Sequence, residues 1–297
     1  LEYKPQETDA NDVAVKVTLH KLFGGHSGLE INEGRCNANK AMARLVQDAI
    51  ANFAACLSEW RGGNMRNAIP SSAEVILTLP KENVEAFKEV VAEWRQTFKD
   101  EYEPIEKTLE LDVEDVELPK HIVPAEIQDN LVDALCAVHN GVFRMIPEVP
   151  NIVETSSNLA IVNIGEGKAE FLILIRSSRD SMRECCAETL ESAFAMAGMK
   201  VELSGEYPAW QPNPHSEIVE LMKGIYHELF NEDSLVQVVH AGLECCVIGA
   251  LRPHMDLVSF GPTLRSPHTP NERCYIPSVD KYWTFVKTIL ERVPEKK

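Results

Sequence analysis

The sequence predicts an α/β protein of two unequal parts, paired βαββαβ units over about residues 1–208 and an αβαβα segment over 209–297. Three observations carry that expectation. Apolar residues switch between period two and helical spacing in the order strand, helix, strand, strand, helix, strand. That order nearly repeats from Pro119 onward. The run Tyr207–Pro214 then holds three prolines in eight residues, which neither a helix nor a central strand can continue.

Val13, Val15, Val17 and Leu19 alternate with other residues and predict the first strand. Ala38, Met42, Leu45, Ala49, Phe53 and Leu57 recur at helical spacing and predict a helix running to Leu57. After the Gly62-Gly63 break, Met65–Ile69 and Val75–Leu79 read as two short strands joined at Pro70-Ser71-Ser72. Val84, Phe87, Val91, Trp94 and Phe98 step by threes and fours as an amphipathic helix, and Leu109, Leu111 and Val113 return to period two, closing a first half at about 118. The second half, 119–208, reads as a helix through Ile127, Leu131, Leu135 and Val138, strands Leu159–Ile164 and Phe171–Ile175, a helix Arg179–Ala197, and a strand through Val201 and Leu203. Units of this type place two helices on one face of an antiparallel sheet. Beyond the proline run, helix Glu217–Leu229, strand Leu235–Val239, a short helix, strand Leu257–Phe260 and a helix Ser278–Val293 opened by Pro277 suit part of a mainly parallel sheet. Two strands are few for a freestanding α/β domain, so this segment is expected to complete a sheet begun elsewhere.

The 297 residues carry 29 Lys and Arg against 46 Asp and Glu, a net charge of −17, which repels polyanions and excludes nucleic acid as a first partner. No stretch approaches the apolar length of a membrane span, and Leu1-Glu-Tyr-Lys has neither the charge nor the apolar core of a signal peptide; without an initiator Met it reads as a chain entered partway through. Eight cysteines, two adjacent pairs among them and no C-x-x-C, argue against a zinc ribbon and for reduced thiols in a cytoplasmic protein.

Four residues stand out for chemistry. His26 lies among three glycines in Phe23-Gly24-Gly25-His26-Ser27-Gly28, where backbone can approach a ligand closely, although a tight turn with a solvated imidazole has the same pattern. Asn67, in Gly62-Gly63-Asn64-Met65-Arg66-Asn67-Ala68-Ile69-Pro70, could bind a substrate or close a turn. Arg176 ends the apolar strand Phe171–Ile175, where a guanidinium can pair with a carboxylate or snorkel to solvent. His268, in the loop Arg265-Ser266-Pro267-His268-Thr269-Pro270, is aimed with little conformational freedom and is a candidate metal ligand that needs partners.

Those segments, with Val153-Glu154-Thr155-Ser156-Ser157-Asn158-Leu159-Ala160, His240-Ala241-Gly242-Leu243-Glu244-Cys245 and Met255-Asp256-Leu257-Val258-Ser259-Phe260-Gly261-Pro262, occur in one order along nearly the whole chain and resemble the aminoacyl-histidine dipeptidase family, the Xaa-His or cytosol non-specific dipeptidases. The resemblance implies a di-zinc metallo-dipeptidase that hydrolyses Xaa-His and other unblocked dipeptides with a metal-activated water, two Zn²⁺ per complete site, with Co²⁺ or Mn²⁺ as substitutes. It implies a lid of tandem ferredoxin-like units at 1–208, a homodimer through that lid, and the C-terminal part of an α/β catalytic domain at 209–297. By the same resemblance His268 is a terminal zinc ligand and His26 donates to the oxyanion or the metal-bound carbonyl. Asn67 and Arg176 hold the substrate, Arg176 by its free C-terminal carboxylate.

The family's remaining ligands and general base have no convincing match in this chain. There is no Glu-Glu dipeptide, and His254-Met255-Asp256 is the only H-x-D. The 297 residues alone are therefore expected to be inactive. A doubled lid can imitate within one chain the pairing that related dimeric peptidases make between subunits, so His26 is expected to act in its own chain. The alternatives are a related amidohydrolase, such as an aminoacylase or carboxypeptidase, and a non-catalytic ligand-binding or dimerisation module.

Overall fold

The computed structural model describes residues 1–147, 151–210, 213, 215–237, 243–265 and 272–294, and these fall into two compact units, Leu1–Glu206 and a second from Tyr207 onward. Alternation builds the first strands: on β2 (Asp12–His20), which follows the two-residue β1 (Gln6–Glu7), Val15, Val17 and Leu19 are buried while Lys16, Thr18 and His20 stay half exposed. The chain continues through β3 (Gly25–His26), α1 (Ala38–Phe53), β4 (Cys56–Gly62), β5 (Ala68–Ile69), β6 (Ala73–Pro80), α2 (Val84–Tyr102) and β7 (Glu110–Val116). Strands β4, β6, β2 and β7 lie side by side in that order, all antiparallel, which is the ferredoxin-like arrangement of a βαββαβ unit.

The second half supplies β8 (His121–Ile122), α3 (Ala125–Ala137), β9 (Gly141–Met145), β10 (Val153–Gly165), β11 (Lys168–Ser177) and α4 (Asp180–Met196). It does not make a sheet of its own. Strand β10 pairs with β11 on one side, and on the other with β9 and with the edge of the first unit, Val162 opposite Gly62 and Ile164 opposite Trp60. One seven-stranded sheet results, and α1 to α4 pack on it over a single apolar core. Lys40 on α1 fastens the halves, its ammonium donating to the carbonyls of Leu135 (2.7 Å), Cys136 (2.7 Å) and Val138 (2.9 Å) at the end of α3.

Three expectations for the first unit are corrected. Helix α1 stops at Phe53, where Ala54 turns left-handed (φ 52°), and Leu57 belongs to β4. A bulge between Leu57 and Glu59 breaks the period of two, so Leu57 and Trp60 are both buried, and Leu57, four residues after Phe53, extends the helical spacing of α1 without belonging to it. Of Met65–Ile69 only Ala68–Ile69 forms a strand, paired with Gly25–His26. The strand expected through Val201 and Leu203 does not form, and Leu203 is exposed.

The second unit holds α5 (Glu217–Phe230), α6 (Glu244–Leu251), a two-residue ladder of β12 (Leu264–Arg265) and β13 (Arg273–Cys274), and α7 (Pro277–Arg292). Its core is small, with Met222 and Ile225 of α5 against Phe285 and Ile289 of α7. Neither expected strand, at Leu235–Val239 or Leu257–Phe260, forms among the described residues. A strand without a neighbour has nothing to receive its backbone hydrogen bonds, and Leu235 is left 82% exposed. No helix among the described residues is long and apolar enough to cross a membrane. All eight cysteines are free thiols, with Cys36, Cys186 and Cys246 buried and Cys185 and Cys274 exposed.

Candidate functional site

Glycine geometry creates the His26 turn. Gly24 (φ 62°) and Gly25 (φ 134°) adopt backbone conformations that a Cβ disfavours, and this bends the chain out of β2 into the β3–β5 pair, where His26 faces Ala68. Around the turn, the Ser27 amide donates to the Asn67 carbonyl (2.9 Å), and the Asn158 side chain of β10 donates to the Ala68 carbonyl (2.8 Å). The His26 amide donates to Glu30 (2.6 Å), and Arg35 ties Glu30 (2.6 Å) to the Gly24 carbonyl (2.7 Å).

The imidazole is oriented by its own backbone. Nδ1 accepts from the amides of Gly28 (3.2 Å) and Leu29 (3.1 Å), so in the neutral ring the proton sits on Nε2. Nε2 lies 3.5 Å from Nη2 of Arg176, whose Nε donates to the Ser27 hydroxyl (3.3 Å). Arg176 stands on β11 opposite Ser156 of β10 and is only 8% exposed. An Nε2–H and a guanidinium are both donors and neither can accept from the other. The space they share is thus suited to an anionic oxygen, a carboxylate or an oxyanion.

The strand beneath alternates polar residues between its faces. Thr155 meets the Ser177 hydroxyl (2.8 Å), and Ser157 donates to the His139 carbonyl (2.9 Å), while Asn158 reaches the turn. Glu154 is buried, with Arg179 at 3.4 Å and Arg144 at 3.6 Å. A cavity of about 460 Å³ lies against the same turn, lined by Phe23, Gly24, Gly25, Gly63, Asn64 and Ser71 among others; neither His26 nor Arg176 lines it.

Of the four sequence candidates, the fold brings His26 and Arg176 together although they come from different halves of the first unit. Asn67 serves the turn through its carbonyl, and its side chain is half-buried beside it. His268 lies outside the described residues. Among the described residues no group of three or more His, Cys, Asp or Glu could hold a metal, so they do not by themselves fit the zinc centre the family resemblance implies. The lone H-x-D has a structural task. Asp256 accepts from the Ser216 hydroxyl (2.8 Å), the Ile218 amide (3.2 Å) and Asn213 (3.4 Å) at the start of α5, and although burial opposes its charge these donors hold its carboxyl below the usual range. Sequence reasoning missed Ser27 and Asn158 as partners of the turn; the only signal was their place in the motifs already quoted.

Residues 17–106 match a peptidase dimerisation domain of the M20 type. The chain is 37% identical over 281 residues to the cytosol non-specific dipeptidase of Escherichia coli strain K12, a match covering 95% of this chain and 58% of that protein. It superposes on the crystal structure of aminoacylhistidine dipeptidase from Vibrio alginolyticus with a TM-score of 0.91 and 37% identity, covering 100% of this chain and 61% of that one. The chain thus spans less than two thirds of the length of either relative. In fold and sequence the chain is similar to the cytosol non-specific and aminoacylhistidine dipeptidases over the part of them that it spans, and its residues 17–106 match the peptidase dimerisation domain.

Proposed function

We propose that this chain is the lid and C-terminal portion of a cytoplasmic, metal-dependent dipeptidase acting on Xaa-His and other unblocked dipeptides, with residues 1–208 as the lid and 209–297 as part of the catalytic domain. The observation that carries the reading is the approach of His26 Nε2 to Arg176 Nη2 at 3.5 Å, two nitrogen groups of donor character brought to one place by the shared sheet. In this reading Arg176 receives the free C-terminal carboxylate of the dipeptide. The His26 Nε2–H, fixed by the Gly28 and Leu29 amides at Nδ1, donates to the oxygen that becomes negative on the scissile carbonyl. Asn67 offers its carboxamide to the bound peptide.

Zinc, as the implied metal, needs ligands beyond the described residues, and His268 is the proposed terminal one. The dimerisation domain supports a homodimer. Because His26 and Arg176 already meet inside one chain, the pair does not need a partner's side chain.

The test is hydrolysis of a dipeptide panel by the protein extended to its relatives' full length and supplied with divalent metal. His26→Ala should lower kcat by on the order of 10²–10³. Arg176→Met should raise KM for a free dipeptide but not for its C-terminal amide. No dipeptide turnover, or equal handling of acid and amide by the unaltered protein, would contradict the reading.

A further inference from the structure

Glu106 lies beyond α2 and is only 4% exposed, yet among the described residues no cation sits within 4 Å of its carboxylate. Burying an unpaired charge is costly, so what the carboxylate does with its oxygens is informative. Oε2 accepts from the Phe23 amide at 2.8 Å, and Oε1 accepts from the Cys36 amide at 3.0 Å. These amides stand at the two ends of the excursion that carries Gly24, Gly25 and His26. The backbone of Glu106 is itself anchored, its amide donating to the Tyr102 carbonyl at the end of α2 (3.0 Å) and its carbonyl accepting from the Leu109 amide (3.2 Å).

The two amides meet different oxygens of one side chain, so both positions must be acceptors. A carboxylate provides both, whereas a glutamine would offer one oxygen and turn an NH₂ toward the other amide. We propose that Glu106 is a positioning residue: its buried carboxylate ties the two ends of the 23–36 segment together and so fixes where His26 presents Nε2 beside Arg176. The catalytic part of this assignment rests on the reading of His26 given above. The clamp is independent of the Glu30–Arg35 contacts, which hold the middle of the same segment.

The test has two arms. In the 297-residue chain, amide exchange followed by NMR should show Phe23 and Cys36 protected in the unaltered protein. In Glu106→Gln both should exchange at least about tenfold faster and the His26 ring signals should move, while strands β2 and β6 keep their protection. In the protein extended to its relatives' length, Glu106→Gln should lower kcat by about 10²-fold with KM within about twofold, the signature of a misplaced donor rather than lost substrate binding. Unchanged exchange at Phe23 and Cys36 overturns the clamp. Faster exchange with unchanged kcat, in a protein where His26→Ala does lower kcat, overturns the positioning role. A His26→Ala protein with normal kcat overturns the reading of His26 and leaves the clamp to the exchange data. Should Glu106→Gln not fold, the unaltered protein still decides, because Phe23 and Cys36 amides exchanging like exposed loop amides contradict the proposal.

Discussion

Gly63 packs directly against β10 where the two halves of the sheet join, and replacing it with alanine measures what that approach is worth. Its φ is 70°, its amide donates to the Ser72 carbonyl (3.2 Å), and an added Cβ would run into the carbonyl oxygen of Ala160 on β10. The left-handed backbone costs an alanine about 1–2 kcal/mol, and forcing a methyl into a filled space adds about 1–3 kcal/mol, so Gly63→Ala should cost about 2–5 kcal/mol. Gly198 provides the control. It has nearly the same φ, 73°, with nothing within 4 Å of its added Cβ, so Gly198→Ala should show the backbone cost alone. The assay is urea unfolding with Trp60 and Trp94 as reporters, in a background where Trp210 and Trp283 are phenylalanine. Equal losses for the two variants would refute the reasoning, because the Ala160 contact would then carry no weight.

Lys40→Met leaves the Leu135, Cys136 and Val138 carbonyls at the end of α3 without their shared donor and should lower stability by about 2–4 kcal/mol in the same assay. Burial pushes the Cys36 thiol up to about 12 from 9.0. The folded state therefore keeps a proton that the unfolded chain gives up, so stability should be level below pH 9 and fall between pH 9 and 12. The contribution reaches at most about 4 kcal/mol, and Cys36→Ala should flatten the decline. Asp256→Ala removes the side chain that receives the start of α5 and should cost about 1 kcal/mol with no change in bound metal; a loss of metal would mean that the H-x-D is a ligand after all.

The period of two in β2 and the helical spacing of α2 were legible in the residues because each buries one clean face against the core. Strand β4 was not, because Leu57 falls four residues after Phe53 and continues the spacing of α1, while the bulge after it hides the period of two. The repeat of the βαββαβ order was legible, but the fusion of both halves into one sheet through β10 and β4 was not. Edge pairing depends on which strand is left unpaired in three dimensions, and no local pattern records that. Among the described residues the expected C-terminal strands do not form, because their pattern presumes a neighbouring strand that those residues lack. At the site, His26 and Arg176 could be singled out from the motifs, but their contact joins residues 150 apart and follows only from that shared sheet. Glu106 gave no signal at all, since a glutamate just beyond a helix ordinarily faces water.

The central claim is that His26 and Arg176 serve one site from within one chain. Mixing His26→Ala and Arg176→Met variants of the protein extended to its relatives' length, assayed with a free dipeptide well below KM, where each alone turns over little, tests it most directly. If both residues act in their own chain, every site in the mixture lacks one of them and dipeptide turnover stays at the level of the separate variants. If His26 were donated across a dimer, mixed dimers would contain one intact pair and activity would return to a sizeable fraction of the unaltered protein, which would contradict the account.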